Sequence, residues 1–237
     1  MATELMVKWF NGKANDDYTT VPPDTTSVDL EWIETFVRGR TAVAEISDPT
    51  YWFNANAQAQ LCEDLREAGL FQATPTQFGD FTLPMRELHK QHFQKLEVGS
   101  FIRDGRIRLT TFEPDDLDAA LHNFALHAVA RGHIEPQADG WRVIVEGVAI
   151  YGHDTYDFVN RPLIGEIVLD QWLGRWDCQN ERWEDSPLDG NTVRNSDFEG
   201  YRQRTGQGGD FEIFTPLRQL PLVQPVSTFC PASAATP

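Results

Sequence analysis

The sequence is poor in basic side chains: 20 Lys and Arg stand against 36 Asp and Glu, a formal net charge of -16 over 237 residues. That balance argues against nucleic acid as a partner, because phosphate backbones are held by clustered cations. Long apolar runs are missing as well. None approaches the ~20 residues of a membrane-crossing helix, so no transmembrane segment is expected. The stretch MATELMVKWFNGK has no unbroken apolar core and no small-residue cleavage site. The chain therefore reads as made in the cytoplasm without a signal peptide. Cysteine is scarce. Cys62, Cys178 and Cys230 are odd in number, widely spaced and without a CxxC pair. They offer neither a zinc site nor a disulfide framework, and the expectation is two buried thiols and one near a loose tail. Gly206-Gln207-Gly208-Gly209 lacks the following Lys and helix of a nucleotide loop.

What is present is a globular composition, 41% hydrophobic, in a chain long enough to bury a real core. The first 25 residues read as a short helical or irregular arm, stopped by Val21-Pro22-Pro23-Asp24. Thr26-Ser27-Val28-Asp29 resembles a capping box, and Leu30, Ile33, Phe36 and Val37 give the next helix an apolar stripe up to Ser47. A second helix is expected from Tyr51 to Ala68, with Gly69 as its C-cap. A Thr- and Pro-rich loop over 72–86 marks the expected boundary between a helical region (1–87) and a β-rich domain (88–226). A loose tail (227–237) completes the chain.

In the β-rich part, Leu121 to Glu135 alternates, and so does Trp141 to Tyr151, with Gln137-Ala138-Asp139-Gly140 between them. Asp-Gly between two alternating runs is a hairpin signal, since both residues tolerate positive φ. Arms longer than the ~5 to 6 residues of an average strand coil readily. The fold class expected is α+β, with a helical N-terminal part and a C-terminal antiparallel β half-barrel.

The second arm runs into His153, Asp154, Tyr156, Asp157, Asn160 and Arg161. Asp154 and Asp157 are near enough in sequence to hold a divalent cation or to divide acid and base roles. Arg161 can neutralise a phosphate or carboxylate. By spacing alone, an Asp-rich strand end is more often a polar turn. His89, His92, His122, His127 and His133 invite a metal reading. His127 and His133 share a strand face but stand too far apart for one ion, so separate structural roles are favoured. Trp172, Trp176 and Trp183 read as core rather than as a ligand platform, and Arg202 and Arg204 as a solvated helix end rather than an anion site.

The segment DGWRVIVEGVAIYGHDTYDFVNRPLIGE resembles the C-terminal catalytic region of the colicin M family. Asp154, Tyr156, Asp157 and Phe158 match that family's Asp-x-Tyr-Asp-Phe strand end. Arg161 and Ile164-Gly165-Glu166 match its downstream Arg and Ile-Gly-Glu. Gly209 to Pro216 is similar to its final strand. Asn160 stands where the family has its His, and the loop between Phe158 and Arg161 is shorter. The resemblance implies an antibacterial toxin, a phosphoric ester hydrolase that cleaves lipid II between lipid and pyrophosphate. On that reading Asp154 and Asp157 hold Mg²⁺ or activate water, Tyr156 and Arg161 bind pyrophosphate, and His153 or Asn160 assists the leaving group. The whole chain is also similar to a bacterial family encoded near type VI secretion genes, through its YDF strand end, Leu173-Gly174-Arg175-Trp176 and Gly208-Gly209-Asp210-Phe211. That similarity implies an effector acting in the periplasm of target bacteria, an immunity protein and a secretion-spike or adaptor partner. The alternative is a non-catalytic adaptor or binding module of such a locus.

Overall fold

These periodicities become elements of both kinds in a computed structural model, a mixture of helices and antiparallel sheet (α+β). Residues 1–99, 115–121, 123–158 and 195–232 are described throughout. Elsewhere only the strands 102–103, 106–107, 162–164, 167–168, 172–177, 182–184 and 193–194 are described. The chain forms two compact units, each assembled from three segments.

The first unit comprises Met1–Val28, Gly99–Phe124 and Asp154–Phe214. Its helix Ala2–Asn11 buries Ala2, Leu5, Met6 and Trp9, the three-and-four spacing of one helical face. Phe10, Phe158, Phe198 and Tyr201 surround the Trp9 ring. Trp9 Nε1 donates to Asp210 Oδ1 at 2.8 Å, and the Arg202 guanidinium pairs with the same carboxylate. Gly208 takes φ +98° against the Trp9 ring, where a Cβ would stand 2.5 Å from the indole. Asp24 ties down the end of the segment: Lys8 Nζ donates to it at 2.7 Å, as do the backbone N–H groups of Thr26 and Ser27.

The second unit comprises Asp29–Val98, Ala125–His153 and Thr215–Pro237. It carries six strands of a seven-stranded sheet. The centre is a hairpin whose first arm is Phe124–Gln137 and whose second is Gly140–Tyr156. Thr76–Phe78 and His92–Val98 pair with the first arm; Arg218–Leu220 and Val226–Pro231 pair with the second. The expected hairpin is present, but its two loop residues are Ala138 and Asp139, because Gly140 already pairs with Gln137. Gly140 serves close approach instead: a Cβ there would meet the Cys230 carbonyl at 2.3 Å. The register shifts between Arg131 and Gly132, which pair with Gly147 and Val145, so Glu146 is the extra residue of a bulge and the alternation of the second arm switches face there.

On the helical side, Asp29 is the N-cap, its side chain accepting from Trp32 N at 2.7 Å. The single helix expected over 30–47 is two, Leu30–Glu34 and Val37–Ser47, interrupted at Thr35-Phe36. The second expected helix starts later, at Ala55 behind an Asn54 cap, and ends before Gly69 at φ +68°. Helix Ala55–Glu67 turns Ala57, Leu61, Cys62 and Leu65 inward.

Two expectations about the C-terminus are corrected. Cys62 and Cys230 form a disulfide across a sequence separation of 168. The third cysteine, Cys178, lies outside the described residues, and its presence made the total odd. Within the tail expected to be loose from Ser227, residues Ser227 to Pro231 belong to the strand Val226–Pro231, whose six register pairs run along Gly140–Val145.

Candidate metal centre

The two arms of the hairpin place side chains by alternation. His127 pairs directly with Tyr151, and His153 pairs with Ala125, two residues along. Residues that pair share a face, so His127, Tyr151 and His153 project from the same side of the sheet. Two further histidines come from the adjoining chain. His89 ends helix Met85–His89, and His92 opens the strand that pairs with the first arm. A helical turn leading at once into a strand brings both imidazoles back over His127.

The four rings are mutually close. The His89 ring centroid lies 4.7 Å from that of His127, 5.0 Å from that of His92 and 4.2 Å from that of His153. His92 and His127 are separated by 4.5 Å. One nitrogen from each of His89, His92 and His127 lies within 4.8 Å of the others. A tetrahedral ion with metal–nitrogen bonds near 2.0–2.1 Å needs about 3.4 Å between ligand atoms, a spacing inside the 4.8 Å within which these nitrogens lie.

Two of the rings are oriented by hydrogen bonds. His92 Nδ1 is 2.6 Å from the His89 carbonyl, to which it donates, leaving Nε2 as the nitrogen with a lone pair. His89 Nδ1 is 2.8 Å from the Tyr151 hydroxyl. Fixing one imidazole nitrogen so that the other presents its lone pair is how proteins prepare a metal ligand. His127 differs. It is 2% exposed, and neither Nδ1 nor Nε2 has a hydrogen-bond partner among the described residues. Its ring stacks on Tyr151 at 5.3 Å, itself fully buried.

The electrostatics keep these rings neutral. Burial, and then the neighbouring His92, His89 and His153, push His127 down from 6.5 to about 2. Burial and the same kind of neighbours push His89 down to about 3. Burial raises the Tyr151 phenol well above its ordinary value. Neutral imidazoles offer lone pairs that a metal ion can take.

Of the described site residues singled out by sequence, Asp154, Tyr156 and Asp157 belong to the first unit, and His153 belongs to the second, where its ring joins the histidine cluster. Tyr156 is 6% exposed, stacks on Phe211, and its hydroxyl approaches Met6 Sδ at 3.9 Å. Burial and Asp154 raise its phenol far above the usual range, so it is a packing residue rather than an exposed proton donor. Asp154 and Asp157 are half-buried, and the Asp157 charge acts on Asp210. Asn160 and Arg161 lie outside the described residues, as does His122.

Sequence reasoning set aside His89, His92 and His127. A usable signal was present in the i,i+3 pair His89/His92 just before a strand. His127 joins them only once the strand order is known.

The chain matches a family described as a family of unknown function (DUF6402) over residues 1–182. No curated protein and no solved structure matches it.

Proposed function

Because the chain belongs to the DUF6402 family, whose description names no activity, we propose a function from geometry: a metal-dependent hydrolase built on His89, His92 and His127. The observation that carries this reading is the buried His127 ring, with both nitrogens unpartnered and two other imidazoles within reach. Three imidazoles select Zn²⁺ or another borderline transition ion, whereas Mg²⁺ prefers oxygen ligands. Three protein ligands leave a fourth position for water, whose pKa such an ion lowers towards 7. The disulfide supports action in an oxidising compartment, in keeping with an effector delivered to the periplasm by a secretion spike and restrained by an immunity protein.

A second reading keeps the substrate and site that the resemblance to colicin M implies. Asp154 and Asp157 then hold Mg²⁺ and cleave lipid II, and the sheet's long arms curl into that family's half-barrel. Its support is that both carboxylates are only half-buried at the end of a 17-residue strand. Tyr156 has no catalytic part in it.

The oxidised full chain, stripped with EDTA, is incubated with lipid II and either Zn²⁺ or Mg²⁺. Zn²⁺-dependent release of undecaprenol that His127→Ala abolishes supports the first reading. Mg²⁺-dependent release abolished by Asp154→Ala supports the second. Retained metal without hydrolysis points to the non-catalytic adaptor, and failure to bind Zn²⁺ refutes the centre.

A further inference from the structure

The hydrolase reading uses three imidazoles, and a fourth stands beside them. His153 lies on the second arm two residues beyond Tyr151, a spacing that keeps it on the face that carries His127. Its ring centroid is 4.2 Å from that of His89 and 5.8 Å from that of His127. Around a tetrahedral ion, with metal–nitrogen bonds near 2.0–2.1 Å and each ring centre about 1.1 Å further out, imidazole centroids stand about 5.2 Å apart. The two spacings of His153 fall on either side of that value, each within about an ångström of it. The spacings among His89, His92 and His127, 4.5 to 5.0 Å, lie just below it.

The backbone beneath His153 is fixed. Across the hairpin His153 pairs with Ala125. On the other side Gly152 N donates to Thr215 Oγ1 at 2.8 Å, and the Gly152 carbonyl accepts from Thr215 N at 3.0 Å. Adjustment is therefore left to the side chain, which is half-buried rather than enclosed as His127 is. No nitrogen of His153 belongs to the trio whose ligand atoms lie within 4.8 Å of one another. The outer torsion of a histidine is broad and roughly two-fold, and a flip about it moves Nδ1 by about 2 Å. That reach exceeds the misfit in its ring spacings.

We propose that His153 is the fourth ligand of the resting centre, closing the position that hydrolysis reserves for water. The inference rests on the metal-centre reading and gives that site a closed state. With His153 on the ion, four neutral imidazoles fill the coordination sphere and no water is activated. When its ring turns away, one metal–nitrogen bond is exchanged for one metal–oxygen bond. Three histidines and a water then remain, the arrangement of a catalytic site.

Co²⁺ is the probe, because its visible spectrum reports coordination, and thiocyanate reports an open position by displacing bound water. The full-length oxidised chain and its His153→Gly and His153→Gln variants are titrated with Co²⁺ and then with thiocyanate. The unaltered chain is expected to bind one ion with a spectrum that thiocyanate leaves unmoved. Both variants should bind Co²⁺ at least about tenfold more weakly, since even the loss of a partner outside the ligand shell costs that much. Thiocyanate should shift their spectra. Free imidazole should return His153→Gly to the spectrum of the unaltered chain, an effect that a packing role for His153 does not produce. The same thiocyanate response in all three proteins, whether a shift or none, overturns the role of His153 and leaves the three-histidine centre standing. Loss of Co²⁺ from both variants that imidazole does not restore in His153→Gly overturns it as well. No Co²⁺ spectrum in the unaltered chain overturns the centre and the inference together.

Discussion

Replacing His127 with leucine should strengthen the metal-free protein and abolish its response to metal. The imidazole is 2% exposed with both nitrogens unpartnered, and an unsatisfied buried polar group costs about 1–3 kcal/mol. Leucine has similar volume, and such swaps lose under about 1.5 kcal/mol in packing. Metal-free His127→Leu is thus expected to equal or exceed the unaltered chain, by up to about 2 kcal/mol. With Zn²⁺ at roughly 100 times its dissociation constant, the unaltered chain gains about 2.7 kcal/mol. For a chain of this length that raises the melting temperature by about 5–10 °C. The variant gains nothing, so the order of stabilities reverses between EDTA and Zn²⁺. Thermal melts monitored by circular dichroism in both buffers read this directly. A variant that is less stable without metal yet shows the same Zn²⁺ shift would mean that the ring serves packing alone, and the metal reading would fail.

Acid should destabilise the protein in two stages. His89 and His127 stay neutral when folded, with values near 3 and 2 against 6.5. The unfolded chain therefore binds more protons below about pH 6.5, and stability falls as pH drops from there towards 3. Asp24 is held below its ordinary 3.8, with burial opposing and the Lys8 and Ser27 hydrogen bonds prevailing. Its contribution is intact above that value and lost as pH falls beneath it. Urea midpoints at pH 7, 5 and 4 should show the decline, with a shallower slope between 7 and 5 in His127→Leu. Reducing Cys62–Cys230 opens a loop with a sequence separation of 168. The cost expected is about 2–5 kcal/mol, with amide protection lost first in Val226–Pro231, measured by hydrogen exchange under reductant. Gly79→Ala should cost at least about 1–3 kcal/mol. Gly79 has φ +70°, and a Cβ there would meet the Ala130 carbonyl at 2.0 Å, so a urea midpoint unchanged from the unaltered chain would contradict the backbone described.

Much of the local structure was legible because it depends on neighbours in sequence. Alternation in Trp141 to Tyr151 specified a strand, Asp139-Gly140 a hairpin, and Gly69 stands just past the end of a helix it helped to announce. The break at Thr35-Phe36 was less legible, since the apolar stripe continues across it. The candidate centre was hardly legible at all. His127 and His133 are both on the first arm, and their separation spoke against a shared ion. His89 and His92 stand more than 30 residues before His127 and approach it only through pairing between their strands.

What the sequence determined alone is the set of elements: capped helices, two long arms, an acidic surface and no helix, among the described residues, able to cross a membrane. These come from periodicity and from side chains bonding to their own backbone, which are interactions of short range. Tertiary structure decided which histidines meet, that Tyr156 is sealed within aromatic packing, and that Cys62 finds Cys230. Each depends on strand order and register, and a single bulge opposite Arg131/Gly132 switches the face of the second arm's alternation. Local spacing carries no record of that choice, because the free energy that settles it comes from burying one whole face of the sheet.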